Sequence, residues 1–125
     1  IKAAAKVAAA GYPMGFLIAP VFAFEEWRTQ YDDLLRRLRL RLPAGSGPFT
    51  FEVISHRFTS RSKNVIRAVY PSTTLPLDEA VRRFKRGQFG YGKYVYPADL
   101  MTELTEFFRD RIAAHFPEST VLYVI

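Results

Sequence analysis

Residues 14 to 22 read MGFLIAPVF, an uncharged apolar run with Pro13 before it and Pro20 inside it. A short run without polar alternation predicts a strand buried on both faces, and such strands belong to parallel sheets. The period then changes. Over residues 24–42, Trp27, Tyr31, Leu34, Leu38 and Leu42 share one helical face, while Arg28, Asp32, Arg36 and Arg39 lie elsewhere, as in an amphipathic helix. PAGSGP at 43–48 stops that helix with proline and glycine. In FTFEVIS, residues 49–55, Phe49, Phe51, Val53 and Ser55 alternate with Thr50, Glu52 and Ile54, which predicts a second strand. Residues 97–116 give the strongest helix, with Pro97 at its start, Asp99 and Glu103 toward its positive end, and a buried face of Leu100, Leu104, Phe107, Phe108 and Ile112. TVLYVI at 120–125 closes as a strand. Alternating strands and helices imply βαβ units, so the fold class is α/β with a parallel sheet.

The remaining segments are shorter. IKAAAKVAAAG reads as the end of a helix capped at Gly11. A short helix follows the polar turn after Ser55, with Ser60 or Ser62 as its cap, and ends before Pro71. Residues 72–84 fit either a loop with a brief helical turn or the first arm of a ribbon. The chain starts in mid-helix without a methionine, which predicts that residues 1–125 are one fragment of a longer polypeptide. No apolar run approaches the ~20 residues of a membrane span, so no membrane partner is expected. The absence of cysteine excludes disulfides, thiolate metal sites and cysteine nucleophiles within these residues. A formal net charge of +6 favours a polyanionic partner.

RRFKRGQFGYGKYVY, residues 82–96, holds five basic residues, three glycines and five aromatics without one acid. The plain reading is a ribbon whose charges face water. Against it stand Gly87, Gly90 and Gly92, since glycine weakens a strand pair unless a bend or close approach needs it. A glycine-flexed tip with an aromatic and basic flanks suits nucleic acid: cations neutralise phosphates and a flat ring wedges between or stacks on bases. Neither a dinucleotide fingerprint nor a P-loop is present. Elsewhere, Ala19 and Pro20 end the first strand and His56 and Arg57 follow the second. Strand ends of that kind form sites in barrel enzymes, although a simple strand end is the competing reading. His56 as a general base needs a partner carboxylate that the sequence does not identify. His115 suits a helix C-terminus, and Glu25, Glu26, Asp78 and Glu79 suit capping.

AAGYPMGFLIAPVF, FEVISHRFT, RRFKRGQFGYGKYVYP and the aromatic last strand together resemble the C-terminal part of the spore photoproduct lyase family, radical S-adenosylmethionine enzymes of DNA repair. The resemblance spans essentially the whole chain. It implies the last portion of a partial (β/α)6 barrel with a β-hairpin at about residues 82–96. It also implies DNA bearing the spore thymine dimer as partner, together with the N-terminal remainder of the polypeptide, in the cytoplasm or spore core. The cofactors implied are S-adenosylmethionine, near Ala19, Pro20 and His56, and a 4Fe–4S cluster whose cysteines lie outside these residues. Lesion and DNA contacts fall to Arg83, Lys85, Arg86, Gln88, Phe89, Tyr91, Lys93 and Tyr94. At the tip, where the family has an arginine and an aromatic, this chain has Gln88 and Phe89: the ring is kept and the guanidinium fork is lost. A non-catalytic nucleic-acid-binding module and a structural α/β domain are the alternatives. Replacing Phe89 with Ala in the full-length protein is expected to weaken binding of dimer-containing DNA more than of undamaged DNA. Equal losses in a paired titration would rule out a wedge.

Overall fold

The structure, a computed structural model, describes residues 1–87 and 90–125. In chain order the elements are α1 (Lys2–Ala9), β1 (Gly15–Val21), α2 (Trp27–Arg41), β2 (Thr50–Ser55), α3 (Ser60–Val69), β3 (Arg83–Arg86), β4 (Gly92–Val95), α4 (Ala98–His115) and β5 (Thr120–Val124). Strands β1, β2 and β5 form a parallel sheet in that order, and β3 and β4 form a separate antiparallel hairpin. The alternating periods thus produce the α/β class expected of them. Residues 72–82 are loop and turn, with the Arg82 amide donating to the Glu79 carbonyl, and the ribbon's first arm, β3, begins only at Arg83.

One face of the sheet meets the helices. Phe51 and Val53 from β2 are 0% and 1% exposed, and Phe16, Ile18, Val121 and Val124 join the same cluster from the neighbouring strands. Against them pack Leu35 and Leu38 of α2 and Leu104, Phe108 and Ile112 of α4. Aromatic rings fill much of the space: Trp27 meets Phe107 edge-on at 4.8 Å, and Phe51 lies 5.0 Å from Phe116. Between the two long helices, Arg28 pairs with Glu103, and His115 Nε2 lies 2.9 Å from Asp32 Oδ1. His115 therefore ties α4 to α2 in addition to suiting its helix end.

Three local expectations are corrected. Strand β1 is not buried on both faces among the described residues: Leu17 is 62% exposed and the burial alternates, as it does along the central strand β2, because the helices cover one face of the sheet. On α2 the core direction runs through Leu35, fully buried, while Leu34 sits at the margin. The cap of α3 is Thr59, not Ser60 or Ser62. Thr59 Oγ1 accepts from the Ser62 amide at 3.0 Å and Ser62 Oγ accepts from the Thr59 amide at 3.0 Å, a reciprocal capping box. No helix among the described residues is long and apolar enough to cross a membrane.

Truncating Leu35 to Ala in the intact protein removes a side chain with no solvent exposure. The expected loss is about 2–5 kcal/mol, read from denaturant unfolding, whereas Leu34→Ala should cost well under half as much.

Candidate nucleic-acid interface

Where parallel strands run out at their C-terminal ends, their last backbone groups and the loops beyond them meet, and here the chain concentrates polar and aromatic groups. The His56 amide donates to the Val21 carbonyl at 2.8 Å, joining the ends of β1 and β2. Two tyrosine hydroxyls hold the segment leaving β1: Tyr31 accepts from the Phe22 amide at 2.9 Å and Tyr96 from the Ala23 amide at 3.0 Å. Ala19 and Pro20, both exposed, lie at the same end of β1. The sheet end thus brings Ala19, Pro20 and His56 to one region, as expected from their positions at the strand ends.

The hairpin is fastened to that region. Phe58 and Tyr94 exchange backbone hydrogen bonds, Phe58 N to Tyr94 O at 3.2 Å and Tyr94 N to Phe58 O at 2.7 Å, so Phe58 acts as a third strand one residue long. Their rings stack at 5.4 Å, with His56 5.9 Å beyond Phe58 and Phe22 stacked on His56 at 4.5 Å. Phe84 meets the other side of Tyr94 edge-on at 5.2 Å. A ladder of rings therefore runs from the end of β1 to the hairpin. Arg82 braces it, with its guanidinium 3.7 Å from the centre of the Tyr96 ring. Arg82 also donates to the His56 carbonyl at 2.9 Å and contacts His56 Nδ1 at 3.1 Å.

That last contact fixes the chemistry of the imidazole. Arginine only donates, so Nδ1 accepts and the ring proton sits on Nε2. Burial holds the His56 pKa below the usual histidine value, and the Arg82 charge lowers it further. The ring's partner is a cation and not a carboxylate, so His56 is a neutral hydrogen-bonding group of the strand end and lacks the arrangement of a general base.

The hairpin has two unlike faces. Cross-strand pairing sets Lys85 opposite Lys93 and Arg83 opposite Val95 on one face, and Phe84 opposite Tyr94 and Arg86 opposite Gly92 on the other. Gly92 is required there: the Phe84 ring occupies its Cβ position, with the nearest ring carbon 2.1 Å away. Arg83, Lys85, Arg86 and Tyr91 are exposed, and Lys93 is half-buried. Tyr94 is engaged in the ladder, and its hydroxyl, with Lys63, holds the Glu79 carboxyl below the usual carboxylate range. Gln88 and Phe89 lie outside the described residues. Sequence reasoning missed Arg82 as the brace and Phe58 as the pairing residue. The only trace of either was an arginine beside a ribbon and an aromatic two residues after a strand-end histidine.

All of residues 1–125 match the family model described as spore photoproduct lyase. A spore photoproduct lyase of Clostridium acetobutylicum is 46% identical over 125 residues, and one of Bacillus subtilis is 44% identical over 124. The chain spans 37% and 36% of the lengths of those two relatives. Among solved structures, a spore photoproduct lyase complexed with dinucleoside spore photoproduct superposes with a TM-score of 0.91 at 43% identity, covering 98% of this chain and 36% of that one. A doubly substituted spore photoproduct lyase with bound AdoMet and dinucleoside spore photoproduct matches with the same values.

Because the folded state holds His56 neutral, the unfolded chain binds more protons below about pH 6.5, and stability should fall as pH drops through that point. Replacing Arg82 with Gln should raise the His56 pKa, read from its ring resonances by NMR titration. A pKa unchanged in the variant would show that the guanidinium does not govern the ring.

Proposed function

The chain belongs to the spore photoproduct lyase family, and from that premise we propose that it forms the C-terminal wall and DNA-gripping hairpin of a radical S-adenosylmethionine lyase. The reaction is reversal of the spore thymine dimer, 5-thyminyl-5,6-dihydrothymine, to two thymines in DNA. In this reading the three-stranded sheet is the last part of a partial (β/α)6 barrel, and the rest of the polypeptide supplies the remaining units. The observation that carries the reading is the junction itself. A basic, aromatic hairpin is locked to the C-terminal ends of parallel strands, the end at which barrel enzymes assemble their sites.

Each residue then has a stated task. Arg83, Lys85, Arg86 and Lys93 meet phosphates. Tyr91, exposed beside the tip, and Phe89 offer flat rings to bases that the lesion has already unstacked. Gln88, at the sequence position where the family has an arginine, offers a neutral hydrogen-bonding group. Tyr94 positions the hairpin from within the ladder.

The cofactors fit this chain unequally. Ala19 and Pro20 expose small apolar surface on which a nucleoside can rest, and the Nε2–H of the largely buried His56 has no partner among the described residues, so these three residues suit the adenosine part of S-adenosylmethionine. When bound, S-adenosylmethionine supplies the radical that opens the dimer. With no cysteine, the chain has no thiolate for a 4Fe–4S cluster, and its residues do not fit that group.

The direct test is conversion of dimer-containing DNA to thymine by the full-length protein with both cofactors loaded and a reductant present. An intact, loaded protein that leaves the dimer unchanged overturns the reading. Replacing Arg86 and Lys93 with Ala should weaken binding of damaged and undamaged DNA alike. Each lost phosphate contact should flatten the plot of log affinity against log salt by about 0.7–0.9.

A further inference from the structure

Between the basic face of the hairpin and α4 lies an open cleft of about 450 Å³. Ser55 lines it from the end of β2, Arg57, Arg83 and Lys85 from the segments around the hairpin, and Thr105 and Glu106 from α4. Three features suit it to an anion. Ser55 is 2% exposed, and its buried hydroxyl has no hydrogen-bond partner among the described residues. A buried hydroxyl without a partner is rare and calls for an explanation, and a ligand oxygen at this strand end is one that the neighbouring cations favour.

The second feature is uncompensated charge. Among the described residues, none of Arg57, Arg83 and Lys85 forms an ion pair, and Glu106 pairs with none of them. Arg57 is partly buried, and desolvation lowers its pKa, the expected response of a cation removed from water. Its Nε donates to the Ser55 carbonyl at 3.3 Å, which turns the guanidinium toward the same strand end. The third feature is the direct cross-strand pairing of Lys85 with Lys93. Like charges opposite one another destabilise a hairpin, and an anion held at Lys85, the member of the pair that lines the cleft, offsets that repulsion.

We propose that this cleft is a phosphate-binding subsite, occupied by a backbone phosphodiester of the lesion-bearing strand outside the dimer itself. The planar fork of Arg57 matches two phosphate oxygens, Lys85 and Arg83 add charge, and Ser55 contributes a hydroxyl donor. Glu106 lines the opposite rim, on α4. The subsite rests on the lesion-gripping role of the hairpin and extends it. The tip holds the dimer, and the base anchors the strand at a point that carries no base information.

The test uses the full-length protein with its cofactors. Its affinity is measured for a dimer-containing oligonucleotide and for the same dimer as a dinucleoside, which has no flanking phosphate. Arg57→Gln should narrow the ratio of those two affinities about tenfold and lower the salt slope by about 0.7–0.9. Ser55→Ala should narrow the ratio about threefold with the slope unchanged. Lys85→Gln, on an exposed side chain, gives the slope measurement if Arg57→Gln fails to fold. A wild-type ratio and slope in these variants overturns the subsite, as does an equal loss for dinucleoside and oligonucleotide. The lesion-gripping reading fails separately, if the wild-type protein does not prefer damaged DNA. In that event the slope on undamaged DNA still judges the phosphate contact.

Discussion

The Phe58–Tyr94 pairing is the contact on which the arrangement depends. A two-stranded ribbon is marginally stable on its own in water, and this one has only four residues in each arm. Phe58 gives it a third strand, and the stacked rings on either side give it an apolar face. Arg82 then closes the structure from the other direction, bonding the His56 backbone while lying flat on Tyr96. These residues come from the loop after β2, from the approach to β3 and from β4 with its exit, and their convergence fastens the ribbon to the sheet end.

Much of the scaffold was legible in the residues because it obeys simple periods. Phe49, Phe51, Val53 and Ser55 alternate in sequence and are all buried. Leu104, Phe108 and Ile112 repeat every four residues and form the inner face of α4. Strand β1 misled because periodicity reports apolar content and not coverage, and an edge strand keeps Leu17 apolar while leaving it uncovered. Leu34 and Leu35 are adjacent, so a stripe drawn through either one is compatible with the pattern. Only packing against Phe51 and Phe108 decides between them.

The site was legible in composition but not in geometry. Glycines and aromatics among cations marked the hairpin, and Gly92 proves to be needed for the Phe84 ring. The partner of His56 was invisible because Arg82 lies 26 positions away, and the expected partner was an acid. Likewise no local feature tells Arg83 and Lys85, which look toward α4, from Arg86, which shares a face with Phe84. That division follows from the register of the pair alone.

Strand β1 is hydrogen-bonded to β2 along one side only. Its outer margin therefore offers a bare row of amides and carbonyls beside Phe16, Leu17 and Ile18, an adhesive seam that another extended segment can zip onto. A preparation that leaves this seam uncovered is one in which molecules stick to each other through backbone contacts. In the barrel reading, the strand that pairs along β1 is what closes this seam.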